Sequence, residues 1–165
     1  MRHWGSYTYK HRGGHELGGK HTMDIKLRLE EEKDYPVVEN LTREAFWNLY
    51  KPGCDEHFVI HTMRSANEFI KELDYVAIYN NEIVGNIVYV KSRIISAGKE
   101  YEVITFGPVS VIPAYQKRGI GKILINHTIQ KAGETGFKAI IIYGDPKYYK
   151  RFGFKNAQEY GITDM

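Results

Sequence analysis

A basic, glycine-spaced turn is the segment of this sequence whose residue types point most directly to chemistry. It reads Gln116-Lys117-Arg118-Gly119-Ile120-Gly121 and follows the alternating valines of a predicted strand. The glycines let backbone N–H groups approach an anionic oxygen closely, and the start of a following helix adds the positive end of its dipole. Four side chains supply further donors and positive charge: Gln116, Lys117, Arg118 and Lys122. The turn therefore predicts a pyrophosphate-binding site.

A second segment, rich in aromatic residues, follows the turn and reads Tyr148-Tyr149-Lys150-Arg151-Phe152-Gly153-Phe154. Together the two segments resemble the GNAT family of N-acetyltransferases, whose Q/R-x-x-G-x-G/A motif holds the pyrophosphate of acetyl-CoA. Gln116, Gly119 and Gly121 fill every fixed position of that motif. The resemblance extends from Met23 to about Phe154. It implies an acetyl-CoA-dependent N-acetyltransferase that moves an acetyl group from the thioester to a primary amine by direct attack, with acetyl-CoA as co-substrate.

The resemblance also implies which residues bind the co-substrate. In the family, two central parallel strands splay apart after a bulge, and the pantetheine arm pairs with the exposed backbone of the first. The matching strand covers residues 105–111, and its pairing should fail at Gly107-Pro108 because proline has no N–H to donate. The strand would act through its backbone. The predicted cofactor-binding residues are Val109, Ser110, Val111, Gln116, Lys117, Arg118, Gly119, Ile120, Gly121 and Lys122.

Acetyl transfer from a thioester to an amine requires a neutral amine, donors for the oxyanion and a proton for the departing thiolate. In the family this proton often comes from a tyrosine just before the Arg-Phe-Gly-Phe-like turn, and the matching residue is Tyr149, the predicted catalytic residue. A phenol with a pKa of about 10 suits a thiolate leaving group. The N–H of Val109 or of its neighbour is the predicted oxyanion donor. The identity of the general base stays open, because Thr105 and Gly107 stand where some family members have histidines.

The amine acceptor is expected to lie between the first two helices and the splayed strands. Asp55 and Glu56 are the predicted substrate-binding residues, because their carboxylates could hold a cationic amine. His57 and His61 have metal-compatible helical spacing, but nothing completes a zinc set, so we predict no metal site. Cys54 has no assured base partner, so an acyl-cysteine intermediate is not expected. The acceptor is expected to be a small-molecule or peptide amine, and its identity stays open.

Composition limits the class of protein. The chain has 165 residues, enough for one domain with a sizeable core. Its 23 basic and 20 acidic residues are too balanced to indicate a nucleic-acid partner, and no apolar run predicts a membrane partner. A single cysteine favours a cytoplasmic location. Residues 1–22 show no apolar period, which predicts a non-core N-terminal extension, either a tag or upstream read-through. Residues 23–165 are then the predicted N-acetyltransferase domain.

Hydrophobic spacing predicts the elements that would position these residues. The order β, α, α, β, β, β, α, β, α indicates an α+β fold, which by the resemblance has a mixed, mostly antiparallel sheet, helices on both faces and splayed central strands. Asp34 is expected to cap the first helix, and turns are expected at Asn80-Asn81 and Ala97-Gly98. The other predicted limits are helices over 34 to about 53, 57–69, 116–135 and 146–151, and strands near 25–29, 75–79, 83–90, 101–111 and 138–143.

The end of the chain leaves two expectations open. Only eleven residues follow Phe154, whereas the family normally ends with one or two more strands, so the C-terminal strands appear curtailed. An unpaired sheet edge there predicts either a homodimer that covers it or poor solubility at high concentration. Two alternative functions also stay open: a non-catalytic acyl-CoA binding or sensing module, and a nucleotide-binding domain built on the glycine turn.

Overall fold

The framework of the protein is an open, four-stranded antiparallel sheet whose strands lie side by side in chain order. The computed structural model describes residues 23–163, so the predicted N-terminal extension lies outside the described residues. The strands are β1 (Lys26–Leu29), β2 (Tyr75–Tyr79), β3 (Glu82–Ser96) and β4 (Lys99–Val111). The predicted α+β fold class is confirmed.

Two tight turns join β2, β3 and β4 into a meander. The backbone is left-handed at both central residues of each turn, with φ of 50° and 62° at Asn80 and Asn81 and of 48° and 74° at Ala97 and Gly98. Paired left-handed residues make a type I′ turn, whose twist matches that of a hairpin. Both predicted turns are confirmed. The hairpin of β3 and β4 is longer than predicted, because its pairing continues to Ser96 and Lys99.

Helices cover both faces of the sheet. Helices α1 (Tyr35–Phe46) and α2 (Glu56–Arg64) pack on one face, and α3 (Ile120–Glu134) packs on the other. The alternation of side chains along β4 shows this division: Ser110 bonds Thr42 of α1, whereas Val109 and Val111 lie beside Gly121 of α3. The core on the α3 face is formed mainly by aliphatic side chains, including Ile87, Ile104, Leu124, Ile125 and Ile129.

The predicted end of the first helix is wrong. The helix stops at Phe46 rather than near residue 53, and Leu49 lies beyond it with 56% of its surface exposed. Asn48 has a left-handed φ of 55°, and its N–H donates to the carbonyl of Gly53 at 3.0 Å. A residue in that conformation ends the helix, and the chain turns into a short loop closed on itself.

Asp34 does not cap α1 through its side chain as predicted. Its carboxylate instead accepts hydrogen bonds from the Arg28 guanidinium at 2.6 and 3.0 Å and from the N–H of Glu31 at 2.9 Å. The hydrogen bond from Arg28 lowers the pKa of Asp34. Asp34 therefore joins β1 to the turn before α1, and Pro36 occupies the first turn of the helix, where its missing N–H is not needed.

Two other helices are shorter than predicted. Helix α2 ends at Arg64 rather than Phe69, and α3 begins at Ile120 rather than Gln116. The residues before Ile120 form a turn, because Gly119 has a φ of 88° that no helix allows. Lys122, Asn126 and Gln130 form an exposed polar stripe along α3.

The predicted strand over 138–143 is reduced to one parallel bridge between Ile140 and Ile104 of β4. The N–H of Ile104 donates to Ala139 at 3.1 Å, and the N–H of Ile141 donates to Ile104 at 2.9 Å. Within residues 23–163 no further backbone bond links this segment to β4. The 138–143 segment and β4 therefore separate after Ile104. This separation corresponds to the splayed central strands that the resemblance implied.

A short helix, α4 (Pro146–Tyr149), follows this segment. The Asp145 carboxylate accepts a hydrogen bond from the N–H of Lys147 at 2.9 Å, and a 3-10 turn (Lys150–Phe152) continues the helix. In the described part of the chain no strand follows Phe154, and the last element is a 3-10 turn (Ala157–Tyr160). None of the helices within residues 23–163 has the length and apolarity needed to cross a membrane.

Candidate functional site

The glycine turn connects the end of β4 to the start of α3. Gly119 is the residue before the helix, and its φ of 88° belongs to the left-handed region that favours glycine. Lys117 is also left-handed, with a φ of 61°. A turn of this kind directs successive N–H groups toward one side, and the first N–H groups of α3 have no partner within the helix. The geometry therefore suits the binding of an anion.

The side chains of the turn divide into two groups. The Gln116 amide donates to the carbonyl of Val111 at 3.0 Å, so it fastens the turn to β4. The side chain of Ile120 is buried in the core, which leaves its backbone available to a ligand. Three basic side chains are exposed around the turn: Lys117, Arg118 and Lys122.

The backbone of β4 presents polar groups at its outer edge. The N–H of Ile112 donates to Val84 of β3 at 2.9 Å, and backbone groups along a strand alternate in direction. The N–H and C=O groups of Val109 and Val111 therefore point away from β3, and the bond from Gln116 to the carbonyl of Val111 agrees with this. Ser110 is directed inward, because its hydroxyl is fully buried and bonds Thr42 at 2.8 Å.

A β-bulge interrupts β4 where the sequence predicted it. Ile87 of β3 pairs with Val109, and Tyr89 pairs with Phe106, so Gly107 and Pro108 together oppose one residue of β3. The bulge changes the direction of β4 between the part before Gly107 and the part after Pro108. Beyond the bulge, no strand of the described residues lies beside the outer edge of β4.

Tyr149 lies in an aromatic cluster beside the bulge. Its ring centroid is 5.0 Å from Tyr148, 5.8 Å from Phe106 and 5.9 Å from Phe154. Gly144 makes room for the ring, because a Cβ there would overlap the ring of Tyr149. Burial raises the pKa of Tyr149 above its ordinary value, so the phenol keeps its proton at neutral pH.

Tyr148 is directed toward the glycine turn instead. Its hydroxyl oxygen is 3.7 Å from the position that a Cβ at Gly121 would occupy. The Arg151 guanidinium lies 4.5 Å from the centre of the Tyr148 ring and its Nε donates to the carbonyl of Tyr148. The two neighbouring tyrosines thus lie in different places: Tyr148 lies beside the glycine turn, and Tyr149 lies beside the bulge.

The two predicted acceptor residues lie at the start of α2, and both are engaged locally. The Asp55 carboxylate forms an ion pair with Lys51. The Glu56 carboxylate accepts a hydrogen bond from the N–H of Asp55 at 3.0 Å. A cationic amine would therefore compete with Lys51 for Asp55, whereas Glu56 keeps one oxygen without a bond from the described residues.

The nearby cysteine and histidines form no reactive or metal site in the described residues. Cys54 Sγ is 3.4 Å from His57 Nδ1, but burial, with the charges of Glu56 and Asp55, raises the pKa of the thiol and keeps it protonated. His61 bonds the carboxylate of Glu39 at 2.9 Å. Between residues 23 and 163 no three histidine, cysteine or carboxylate side chains are grouped closely enough to hold a metal ion.

Three further residues near the cleft carried no signal in the sequence. Tyr50 is 78% exposed in the loop between α1 and α2, and it contributes to the raised pKa of Tyr149. Trp47 helps to line an open groove of about 420 Å³ with Arg43, Glu44 and Pro113. Met63 of α2 reaches the bulge at Gly107. Their roles depend on a loop and a helix packing against β4, which no local spacing reveals.

Comparison with known proteins identifies the family. The model of the acetyltransferase (GNAT) family matches residues 40–154, more than two thirds of the chain. The chain belongs to the GNAT family. The fold, the acetyl-CoA-dependent N-acetyltransferase activity and the enzyme class predicted from the sequence are thereby confirmed. Membership of this family favours the N-acetyltransferase over the nucleotide-binding alternative.

Similar GNAT proteins are found among both sequences and solved structures. A GNAT family acetyltransferase from Brucella melitensis, solved in complex with acetyl-CoA, is 30% identical with a TM-score of 0.71, over 81% of this chain and 84% of that one. The uncharacterized N-acetyltransferase YhbS of Escherichia coli is 24% identical over 82% of this chain and 77% of its own. The structure of YhbS in complex with CoA has a TM-score of 0.71, over 88% of this chain and 76% of that one.

Proposed function

We propose that this acetyltransferase binds acetyl-CoA in the cleft between the outer edge of β4 and α4, with the pyrophosphate on the glycine turn and the thioester beside the bulge. The observation that carries the proposal is the continuous polar edge from the bulge to the turn. Along it lie the free backbone groups of Val109, the N–H of Val111 and the left-handed turn at Gly119. An extended pantetheine arm can bond such an edge as an added strand would.

The glycine turn is proposed to hold the phosphates. The backbone of Lys117, Gly119, Ile120 and Gly121 provides donors, and the exposed side chains of Lys117, Arg118 and Lys122 provide charge. Gln116 supports this arrangement by joining the turn to Val111, and Ser110 supports it by fixing β4 against α1. The predicted binding residues thus divide between direct contact and positioning.

The transfer itself is proposed to use few side chains. The amine nitrogen attacks the thioester carbonyl carbon, and the N–H of Val109 donates to the oxygen as it gains negative charge. The carbon–sulfur bond then breaks, and the thiolate takes the phenolic proton of Tyr149, which solvent restores. The nitrogen loses its proton to water, because neither Thr105 nor Gly107 can accept one. The products are the acetylated amine and free CoA.

The acceptor is proposed to approach from the face of the sheet that carries α1 and α2. The features on that side are the open groove lined by Trp47 and Pro113, the exposed Tyr50 of the loop between α1 and α2, and the carboxylates of Asp55 and Glu56 at the start of α2. Either a small-molecule amine or a peptide amine fits this description. The cytoplasmic location stays a prediction.

A thiol-release assay tests the proposed function. Purified protein with acetyl-CoA and a panel of small amines and peptides is expected to release CoA, and the acetylated amine is expected in equal amount by mass spectrometry. Calorimetry should show CoA binding that is tighter than ATP binding. Binding without turnover of any amine would favour a non-catalytic acyl-CoA module, and tighter binding of ATP would reject the assignment of the cleft.

The homodimer is proposed on the outer edge of the 138–143 segment and of β4 before Ile104. Ile104 directs its N–H outward to Ala139, so by alternation Glu100 and Glu102 also direct backbone groups to the outer edge. A second copy could pair with that edge. Sedimentation velocity should show a dimer fraction that grows with concentration, and Glu102→Pro, which removes one edge N–H, should lower it. A monomer at all concentrations would contradict this proposal.

A further inference from the structure

We infer that Met63 limits the length of the acyl group that the enzyme transfers, so that an acetyl group fits and longer chains are excluded. This inference rests on the proposed position of the thioester beside the bulge. It assigns a selectivity to a side chain of α2 that takes no part in the proton transfers.

Met63 fills the space beside the bulge on the face of the sheet that carries α1 and α2. A Cβ added at Gly107 would lie 2.9 Å from both Sδ and Cε of Met63 and 3.3 Å from Cγ2 of Val88. Such distances are shorter than ordinary contacts, so Met63 already occupies the volume next to Gly107. Met63 is only half-buried, so part of its side chain is accessible to a ligand in the cleft.

The next residue of the chain fixes the position of Met63. The buried guanidinium of Arg64 contacts Glu30 at 2.6 Å and Glu39 at 2.8 Å, and it lies 4.0 Å from the centre of the Tyr35 ring. These contacts hold the last turn of α2 against β1 and α1. The thioether of Met63 is therefore a defined wall of the site, although the residue itself is flexible in shape.

The planar shape of a thioester decides which way its acyl chain points. In the proposed complex the carbonyl oxygen faces the N–H of Val109 at the edge of β4. The sulfur faces Tyr149, which packs with Phe106 on the α3 face. With the oxygen and the sulfur so directed, we place the third substituent of the planar carbon toward the opposite face, where Met63 lies beside Gly107. Each additional methylene would therefore meet the Met63 thioether.

Substitution of Met63 by alanine should open this space. In Met63→Ala we expect the ratio of kcat/KM for propionyl-CoA to that for acetyl-CoA, with one amine, to rise about tenfold or more, the discrimination typical of one methylene. Met63→Leu has a similar volume and should keep the original ratio. Met23→Ala is the matched control, because Met23 is also half-buried and packs against the core; its ratio should not change.

Calorimetric binding of propionyl-CoA and acetyl-CoA without amine gives a second readout, in which Met63→Ala should favour propionyl-CoA. An unchanged ratio in a folded Met63→Ala that still transfers acetyl groups would overturn the inference and leave the proposed function intact. A wild-type protein that binds neither thioester would reject both. Should Met63→Ala fail to fold, Gly107→Ala adds a methyl to the same space and should lower the ratio; an unchanged ratio there would also overturn the inference.

Discussion

At the scale of single residues, the proposed chemistry is concentrated in one hydroxyl and a few backbone groups. Tyr149 lies among aromatic rings beside the bulge, and burial raises its pKa, so the phenol carries the proton that the proposed mechanism transfers. Burial, with the charges of Glu56 and Asp55, also raises the pKa of the Cys54 thiol, which disfavours the thiolate form. The proposed mechanism needs no side chain with an unusually lowered pKa.

Removal of the Tyr149 hydroxyl is the sharpest test at this scale. Tyr149→Phe keeps the ring and its packing, so CoA affinity should stay within about twofold, whereas kcat should fall by about 10²–10⁴ when the general acid is lost. Tyr148→Phe is the matched control and should be milder, because that hydroxyl lies near Gly121 rather than the bulge. If Tyr149→Phe turns over normally and Tyr148→Phe does not, Tyr148 is the general acid instead of Tyr149. If both variants turn over normally, neither tyrosine is the general acid.

At the scale of elements, the site depends on where β4 loses its neighbour and where α3 begins. The bulge at Gly107 and Pro108 interrupts the pairing with β3, which resumes at Val109, and the glycine turn leads from the end of β4 into α3. Helix α2 adds a wall, because Met63 lies against the bulge and the next residue, Arg64, contacts Glu30 and Glu39. Each element thus contributes one side of the proposed cleft.

The glycine turn can be tested separately from the stability of the fold. Gly119→Ala forces a left-handed alanine, at a cost of about 1 kcal/mol, and should lower CoA affinity about tenfold by displacing the N–H groups of the turn. Gly98→Ala is the matched control, because Gly98 has a φ of 74° in a hairpin turn remote from the cleft. Both variants should lose similar stability in urea, and only the first should lose CoA affinity. Equal CoA affinity in both would remove the turn from the site.

At the scale of the whole molecule, a buried group of charges joins β1, α1, α2 and the start of β2. Arg64 bonds Glu30 and Glu39, and Asp74 bonds Asn86. Burial and the contact with Asp74 raise the pKa of Glu30 from 4.5 to about 9, although Arg64 opposes this shift. The buried carboxyl groups therefore retain a proton that they would lose in the unfolded chain.

This proton makes stability depend on pH. The raised pKa means that the folded state binds more protons than the unfolded state between about pH 4.5 and 9, so the free energy of unfolding should decrease as pH rises through that window. Urea denaturation at pH 5, 7 and 9 should show this slope. Glu30→Gln should reduce the difference in the free energy of unfolding between pH 5 and pH 9. The reduction should exceed about 1 kcal/mol, which corresponds to a shift of roughly one pKa unit.

The matched control for this prediction is Glu100→Gln, because the carboxylate of Glu100 makes a largely exposed ion pair with Arg93 at 3.5 Å. Exposed pairs contribute about 0–1 kcal/mol, so the pH profile of this variant should follow that of the unchanged protein. An equally steep profile in Glu30→Gln would show that the retained proton does not reside on Glu30.

The sequence by itself determined those features that depend on residues close together in the chain. Pro108 lacks an N–H, so the bulge could be predicted; Asn80-Asn81 and Ala97-Gly98 accept left-handed backbone, so both hairpin turns could be predicted. The glycine turn and the cap at Asp145 are local for the same reason. The family, and with it the activity, follows from these short motifs in their order.

Only the tertiary structure decided what depends on contacts between distant segments. The early end of α1 reflects the closure of the Asn48 loop on Gly53, and the reduced 138–143 strand reflects the separation of that segment from β4 after Ile104. The place of Met63 beside Gly107 and the pairing of Arg64 with Glu30 join residues about 34 to 44 positions apart. Such contacts depend on how whole elements pack, and hydrophobic spacing within one element carries no information about its partner.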